Sequence, residues 1–438
     1  MHQSDTTHEA DVVVFGAGPA GIAAAVTVAR QGHKVSLIEV QNSVGGVMSS
    51  CPGMMLGSGY PCGKSVGGFF EEFVSRLCDH RPPMAERRPC SLTNFGDEVV
   101  YDPACAISLL YDLLSEAGVT LAVNHIPHQV VVSGDSIERV RVVTTQGSED
   151  YVARIFVDCT GNGDVAAKAG VPSQMGDGRG LMMGVSLTFF MANVDWSRAF
   201  GPDDDPYYTD YARRGIAEEK LDSTQAQIYM LRGFREGTVF FNTVTVTGIE
   251  GTSGASIARG TQIARRRVVE LARFCREEMP GFEDSYLTCV GPAVGVRETR
   301  RLEGLYTLTC ADVAKATKFA DGIVACDSPL DEVFRDDQTP LYSHEAALAA
   351  GEYYTIPFRT LVPRQIGNLL FAGRARSVDG KAFASGRGIP QCMVMGQSAG
   401  LGAAMAITDV CSVQEIDSAR LVDKLTALGV NGIGGRPL

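Results

Sequence analysis

Several features by which protein classes are recognised are missing from this sequence. Its twelve cysteines, spread from Cys51 to Cys411, form no CxxC pair, which excludes a zinc ribbon and a thioredoxin-type redox loop. Unpaired thiols in that number fit a reducing compartment. Basic residues are in deficit, 39 against 51 acidic ones for a net charge of -12. A nucleic-acid groove, which needs concentrated Lys and Arg, is therefore not expected. The first ten residues, Met1 to Ala10, are polar and carry no charged segment followed by an apolar one, so the expectation is a cytoplasmic protein. Repeats of solenoid period and low-complexity tracts are absent too. One uncharged stretch, Gly388 to Thr408, has the length of a bilayer span. It also contains Pro390, Gln391, Gln397, Ser398 and several glycines, and reads as a buried helix rather than a membrane segment.

What the sequence does have is glycine. The 438 residues suggest two or three domains, or one large fold with an insertion. Hydrophobic residues at 45% and charged ones at 21% fit a globular enzyme. Glycine supplies 49 positions, about 11% against a usual ~7%. The surplus is clustered. Asp11-Val-Val-Val-Phe15 reads as a strand, Gly16-Ala-Gly18-Pro-Ala20-Gly21 as a tight turn, Ile22 to Arg30 as a helix and Lys34 to Glu39 as a second strand. In such a βαβ unit the first glycine permits the turn, the second lets a pyrophosphate approach the backbone, and the third lets helix pack on strand. Glu39, at the end of the second strand, stands where a carboxylate accepts ribose hydroxyls. A dinucleotide site follows from the agreement of all four features.

Glycine recurs at Gly45 and Gly46 and through Gly68, in the turn Cys159-Thr-Gly-Asn-Gly-Asp164, and after the strand Asn368 to Phe371 at Gly373. Helices are expected over Gly68 to Leu77 and beyond Pro103, and strands near 119–123, 128–132, 137–144 and 151–158. From about Val171 to Tyr353 the pattern changes to strands around a long helix, Ala255 to Glu278, which suggests an inserted domain. Ile257, Ile263, Val268, Leu271, Phe274 and Cys275 mark its apolar face, and Arg265 to Arg267 a solvated one. The organisation expected is a first part of a cofactor domain at 1–170, a substrate domain at 171–353, and the remainder of the cofactor domain at 354–438.

The segments DVVVFGAGPAGIAAA, VDCTGNGDVAAKAG, VGVRETRRLEGLYTLT, IPFRTLVPRQIGNLLFAGRA and IPQCMVMGQSAGLGAAMA, in that order, resemble the FAD-dependent oxidoreductase family of the glutathione-reductase-like flavoproteins. The resemblance implies an α/β fold with a Rossmann-like FAD-binding domain and an inserted α+β substrate domain. It also implies FAD as cofactor, with Gly16, Gly18, Ala20 and Gly21 at the pyrophosphate and Glu39 at the ribose. Gly45 and Gly46 would pass close to the cofactor, Val130 near the adenine, and Thr160 and Gly161 beside the ADP moiety. Gly373 and Arg374 would lie near the ribityl chain, and the helix bearing Gly400 would aim its N-terminus at the flavin. Two departures stand out. Many relatives have a histidine where this chain has Gly380, and a PIDIH-like segment where it has Pro329-Leu-Asp-Glu-Val333.

Candidates for substrate chemistry are therefore taken from the residues themselves. His344, after Tyr342, and Tyr354, next to Tyr353, are candidate proton carriers. Arg297 and Arg387 are candidate anchoring cations. No metal site is expected. Cys51 and Cys62 flank the glycine-rich loop, but their spacing does not match a disulfide-reductase pair. The function expected is hydride transfer between a small organic molecule and FAD, as a dehydrogenase or oxidase, with oxygen, a quinone or a redox protein as electron acceptor. Nucleic acid and membrane are not expected partners. The alternatives are a flavoprotein isomerase or lyase without net oxidation, and an electron-transfer subunit of a larger complex. With only Trp196 in the chain, the tryptophan-rich signature of flavin halogenases is missing.

Overall fold

The computed structural model describes residues 6–90, 95–201, 205–332, 335–336, 343–345 and 348–438. The main sheet contains β1 (Thr6–Phe15), β2 (Val35–Ile38), β3 (Thr120–Ala122), β4 (Ile126–Ser133), β5 (Ser136–Thr144) and β6 (Gly147–Asp158). A second sheet contains β7 (Val185–Ala192), β8 (Met230–Arg232), β9 (Val239–Val246) and β10 (Tyr286–Val290), and β11 (Leu369–Phe371) returns to the first. The main sheet runs β3-β2-β1-β6-β5-β4. Its β3, β2, β1 and β6 are parallel, and β6 meets β5 antiparallel. β6 is long enough to share its outer edge: Ser148 to Tyr151 pair with β5, and Phe156 to Asp158 pair in parallel with β11.

The residues of β1 and β2 that pair with each other, Val12 to Phe15 and Val35 to Ile38, are nearly all apolar and buried. That is the pattern of parallel strands covered on both faces. One cover is a helical layer built on α1 (Pro19–Arg30). Buried along almost its whole length, α1 is sandwiched against the last long helix of the chain. The inserted sheet, ordered β8-β9-β7-β10 and antiparallel, is backed by α2 (Gly254–Glu278). Val268, Leu271, Phe274 and Cys275 of α2 are buried in this second core, while Ile257 and Ile263 pack at its margin.

The uncharged stretch near the end of the chain folds as α3 (Ile389–Asp409), buried from Ile389 to Ile407 except for half-buried Cys392. Among the described residues no helix is long and apolar enough to cross a membrane. The packing divides the chain differently from the boundaries expected at 171 and 353. The second core runs from Val185 to Val294, whereas Leu308, Val313 and Ile323 to Cys326 belong to the first core with α1 and α3. The solvated face expected for Arg265 to Arg267 also needs correction. Arg267 is largely covered, and its guanidinium donates to Thr245 O at 2.6 Å and to Asp222 Oδ2 at 2.8 Å.

Candidate functional site

The parallel strands deliver their carboxyl ends to one place. β1 leads into Gly16, β2 into Glu39, β6 into Thr160 and β11 into Gly373, and all four residues line a cavity of about 670 Å³. Ligands of open α/β sheets bind at this end of the strands, and the volume is that of a cofactor-sized site. Further lining comes from the inserted unit, through Ser186 of β7, Asn242 of β9, Tyr229 just before β8, and Arg297 beyond β10.

Local chemistry explains each turn. Gly16 has φ +93, and a Cβ there would overlap Cys159 O, so the tight passage from β1 to α1 requires glycine. Glu39 is 4% exposed. Its carboxylate accepts from Ala17 N at 2.6 Å and Gln41 N at 2.8 Å, tying the turns after β1 and β2 together, and burial pushes its pKa up. Asp158, also buried, accepts from the N and Oγ1 of Thr160 and from Ala166 N, which fixes the Thr160–Gly161 turn. The N-termini of α1 and α3 carry no side-chain cap, and Gly18, Ala20, Gly388 and Ile389 at these ends line the cavity. Two helix dipoles thus favour negative charge there.

Arg374 lies against Gly161 and donates to Val296 O at 2.9 Å and Asn162 Oδ1 at 2.6 Å. Burial lowers its pKa to about 10. Arg297 donates to Gly184 O, Ser186 Oγ and Asn242 Oδ1. Arg387 donates to Asp331 Oδ2 at 2.7 Å. The buried Nε atoms of Arg374 and Arg387 have no partner among the described residues.

Of the expected site residues, Gly16, Gly18, Ala20, Glu39, Gly46, Thr160, Gly161, Gly373, Arg374, Arg297 and Arg387 line the cavity. Others do not. Gly21 packs on the Gly16 carbonyl, and Gly45 sits against Ile107 and Ser49. Val130 packs among the apolar residues beneath the sheet, and Ile126 and Pro127 of the same strand take the place at the cavity expected for it. Gly400 faces Ala24 of α1, where a Cβ would strike backbone, so its role is helix packing. Tyr354 is completely buried behind the wall and donates to Ser385 Oγ at 2.9 Å, which removes it as a group facing substrate. The backbone of His344 pairs with Asp331 in a short ladder, while its side chain, like Tyr342, lies outside the described residues.

Gly380, the position of the relatives' histidine, faces the Arg301 guanidinium. Arg301 in turn pairs with buried Glu298. Asp331, in the second departing segment, is the carboxylate that meets Arg387. Sequence reasoning missed Ser186, Tyr229 and Asn242, which carry no local signal beyond strand alternation. It also missed Cys392, whose thiol is pushed up to about 11 by burial. Cys51 lines the cavity while Cys62 is exposed, and burial raises the pKa of both thiols, opposite to what thiolate chemistry needs.

The glycine-lined turn, the uncapped α1, the buried Glu39 carboxylate and the unpartnered arginine nitrogens fit a dinucleotide with an anionic middle. Comparison with known proteins agrees. A solved structure of a geranylgeranyl bacteriochlorophyll reductase-like protein from Thermoplasma acidophilum superposes with a TM-score of 0.51 at 15% identity, over 96% of this chain and 83% of that one. A flavin-dependent brominase gives 0.50 at 11% identity, over 96% and 83%. At these identities the likeness is one of fold. A dihydrolipoyl dehydrogenase from Manduca sexta is 52% identical over 44 residues, 10% of this chain and only 9% of that relative's length. The family model described as FAD dependent oxidoreductase matches residues 11–425, nearly the whole sequence, with FAD as the cofactor. This chain belongs to the FAD dependent oxidoreductase family.

Proposed function

We propose that the protein transfers a hydride between a small organic molecule and FAD, as a dehydrogenase or oxidase. The observation that carries this reading is the shared cavity. One wall is the glycine-rich end of the parallel sheet, where the ADP half of FAD fits, and the other is the inserted sheet with Tyr229, Asn242 and Arg297. A site made between two cores is suited to hold cofactor and substrate face to face.

FAD, when bound, supplies the hydride acceptor or donor. The chain's contribution is binding, orientation and exclusion of water. Gly16, Gly18, Thr160, Gly161 and Arg374 would hold the cofactor's anionic half, and Glu39 its ribose. The uncapped start of α3 at Gly388 and Ile389 places a positive dipole end at the cavity and favours negative charge beside it. Arg297 and Arg387 are proposed to orient the substrate, and the apolar wall of Met54, Met55 and Tyr229 to keep water from the reacting bond.

Bound flavin should bleach when a substrate is added without oxygen and recover when an acceptor is supplied. Turnover of a compound with no bleaching and no acceptor consumed would replace this reading with a non-redox one.

A further inference from the structure

Charge in the cavity speaks to the substrate's chemistry. Within a chain of net charge -12, three guanidiniums line this one cavity, those of Arg297, Arg374 and Arg387. Arg374 is committed to the Gly161–Asn162 turn. Arg297 is held from the other side, by the inserted sheet. Its acceptors are Gly184 O at 2.9 Å, Ser186 Oγ at 2.7 Å and Asn242 Oδ1 at 3.4 Å, all neutral. No carboxylate among the described residues pairs with it. Among the described residues Arg387 pairs with one carboxylate, Asp331, and its buried Nε has no partner. Burial is the main cause that lowers the pKa of Arg387, Asp331 opposes it, and the Arg297 charge lowers it further. Both cations line the same cavity.

Beside the Arg387–Asp331 pair, Arg297 thus presents to the cavity a guanidinium with no carboxylate partner among the described residues. A half-buried charge of that kind gains from an opposite charge that joins it. A carboxylate monoanion supplies that charge. Guanidinium forks match the planar geometry of a carboxylate, and the remaining wall, with Met54, Met55 and Tyr229, is apolar. We propose that the cavity takes an organic carboxylate with an apolar body, its anionic end held by Arg297 and Arg387 and its body against Met54, Met55 and Tyr229. The proposal rests on the reading that substrate binds in this cavity beside FAD.

The test uses the full chain loaded with FAD, titrated with benzoate and naphthoate, with their neutral amides, and with phenyl phosphate, following the visible flavin spectrum. The acids are expected to bind at least about tenfold more tightly than the amides. That preference should vanish in Arg297→Ala, survive in part in Arg297→Lys, and weaken with added salt. Equal binding of acid and amide, no spectral response to either acid, or tighter binding of phenyl phosphate would overturn it. So would an Arg297→Ala protein that loses FAD affinity yet keeps the acid preference, because the arginine would then serve the pyrophosphate. Arg387→Lys provides the same comparison if the alanine variant fails to fold. Acids that bind while no compound of a broad panel bleaches the flavin would sink the redox reading and leave this one standing. Bleaching by a neutral compound alone would do the reverse.

Discussion

Among individual side chains, the cavity thiols show how strongly burial governs reactivity here. Cys392 faces the cavity, yet its pKa of about 11 leaves about one thiolate in a thousand at pH 8. Iodoacetamide at pH 8 should therefore modify exposed Cys62 and Cys289 first, as read by peptide mass spectrometry. Modification of Cys392 should climb about tenfold per pH unit toward its pKa as the thiolate forms. Labelling of Cys392 as fast as Cys62 at pH 8 would contradict the burial argument. Gly16 and Glu39 could be read in the sequence because their spacing is set by one local βαβ unit, in which each position has a single mechanical task. Gly400 and Val130 could not. Nothing in a sequence says whether a helical glycine meets a ligand or a neighbouring helix, or on which side of an edge strand a valine falls. Tyr354 shows the same limit, since proximity to the cavity along the chain placed it behind the wall instead of in it.

Between elements, the tightest fit is α1 against α3. Gly396 and Gly400 are one helical turn apart on α3, and Cβ atoms there would overlap the backbone of Ala20 and Ala24. This lets the two helices run close enough to bring both uncapped N-termini to the same cavity. Gly400→Val is expected to lower stability by about 1–3 kcal/mol, read as a fall in the urea midpoint, and to weaken retention of FAD. An unchanged midpoint would show that the helices move apart at little cost. The periodicities that define α1, α2 and the parallel strands were legible, because an amphipathic or fully apolar run reports its own burial. The boundary of the inserted unit was not. Only packing assigns Leu308, Val313, Ile323, Val324 and Cys326 to the first core, and Leu302 to the apolar layer that Val130 joins.

Across the whole molecule, the core built on α1 and α3 and the core of the inserted sheet both border one cavity, so cofactor binding should be felt by both. Free FAD at about a hundred times its dissociation constant stabilises the folded chain by about 2.7 kcal/mol through mass action. Differential scanning calorimetry should show one transition that moves to higher temperature with FAD. Two transitions of which only one responds would mean that the inserted sheet unfolds independently of the cofactor site.

The divided edge of β6 has a bearing on how the protein is made. The strand's amino-terminal half finds its partner, β5, immediately before it in the chain, but its carboxyl-terminal half must wait for Leu369–Phe371. A nascent chain halted short of Leu369 would hold β1, β2 and the Gly16 turn, yet expose a bare backbone edge at Phe156 to Asp158, where the Thr160 turn begins. Such an edge invites pairing with other chains, and a contact of this sequence separation forms slowly. Flavin capture therefore waits until Leu369–Phe371 has been made, and the species most in need of a chaperone is the half-closed sheet that precedes it.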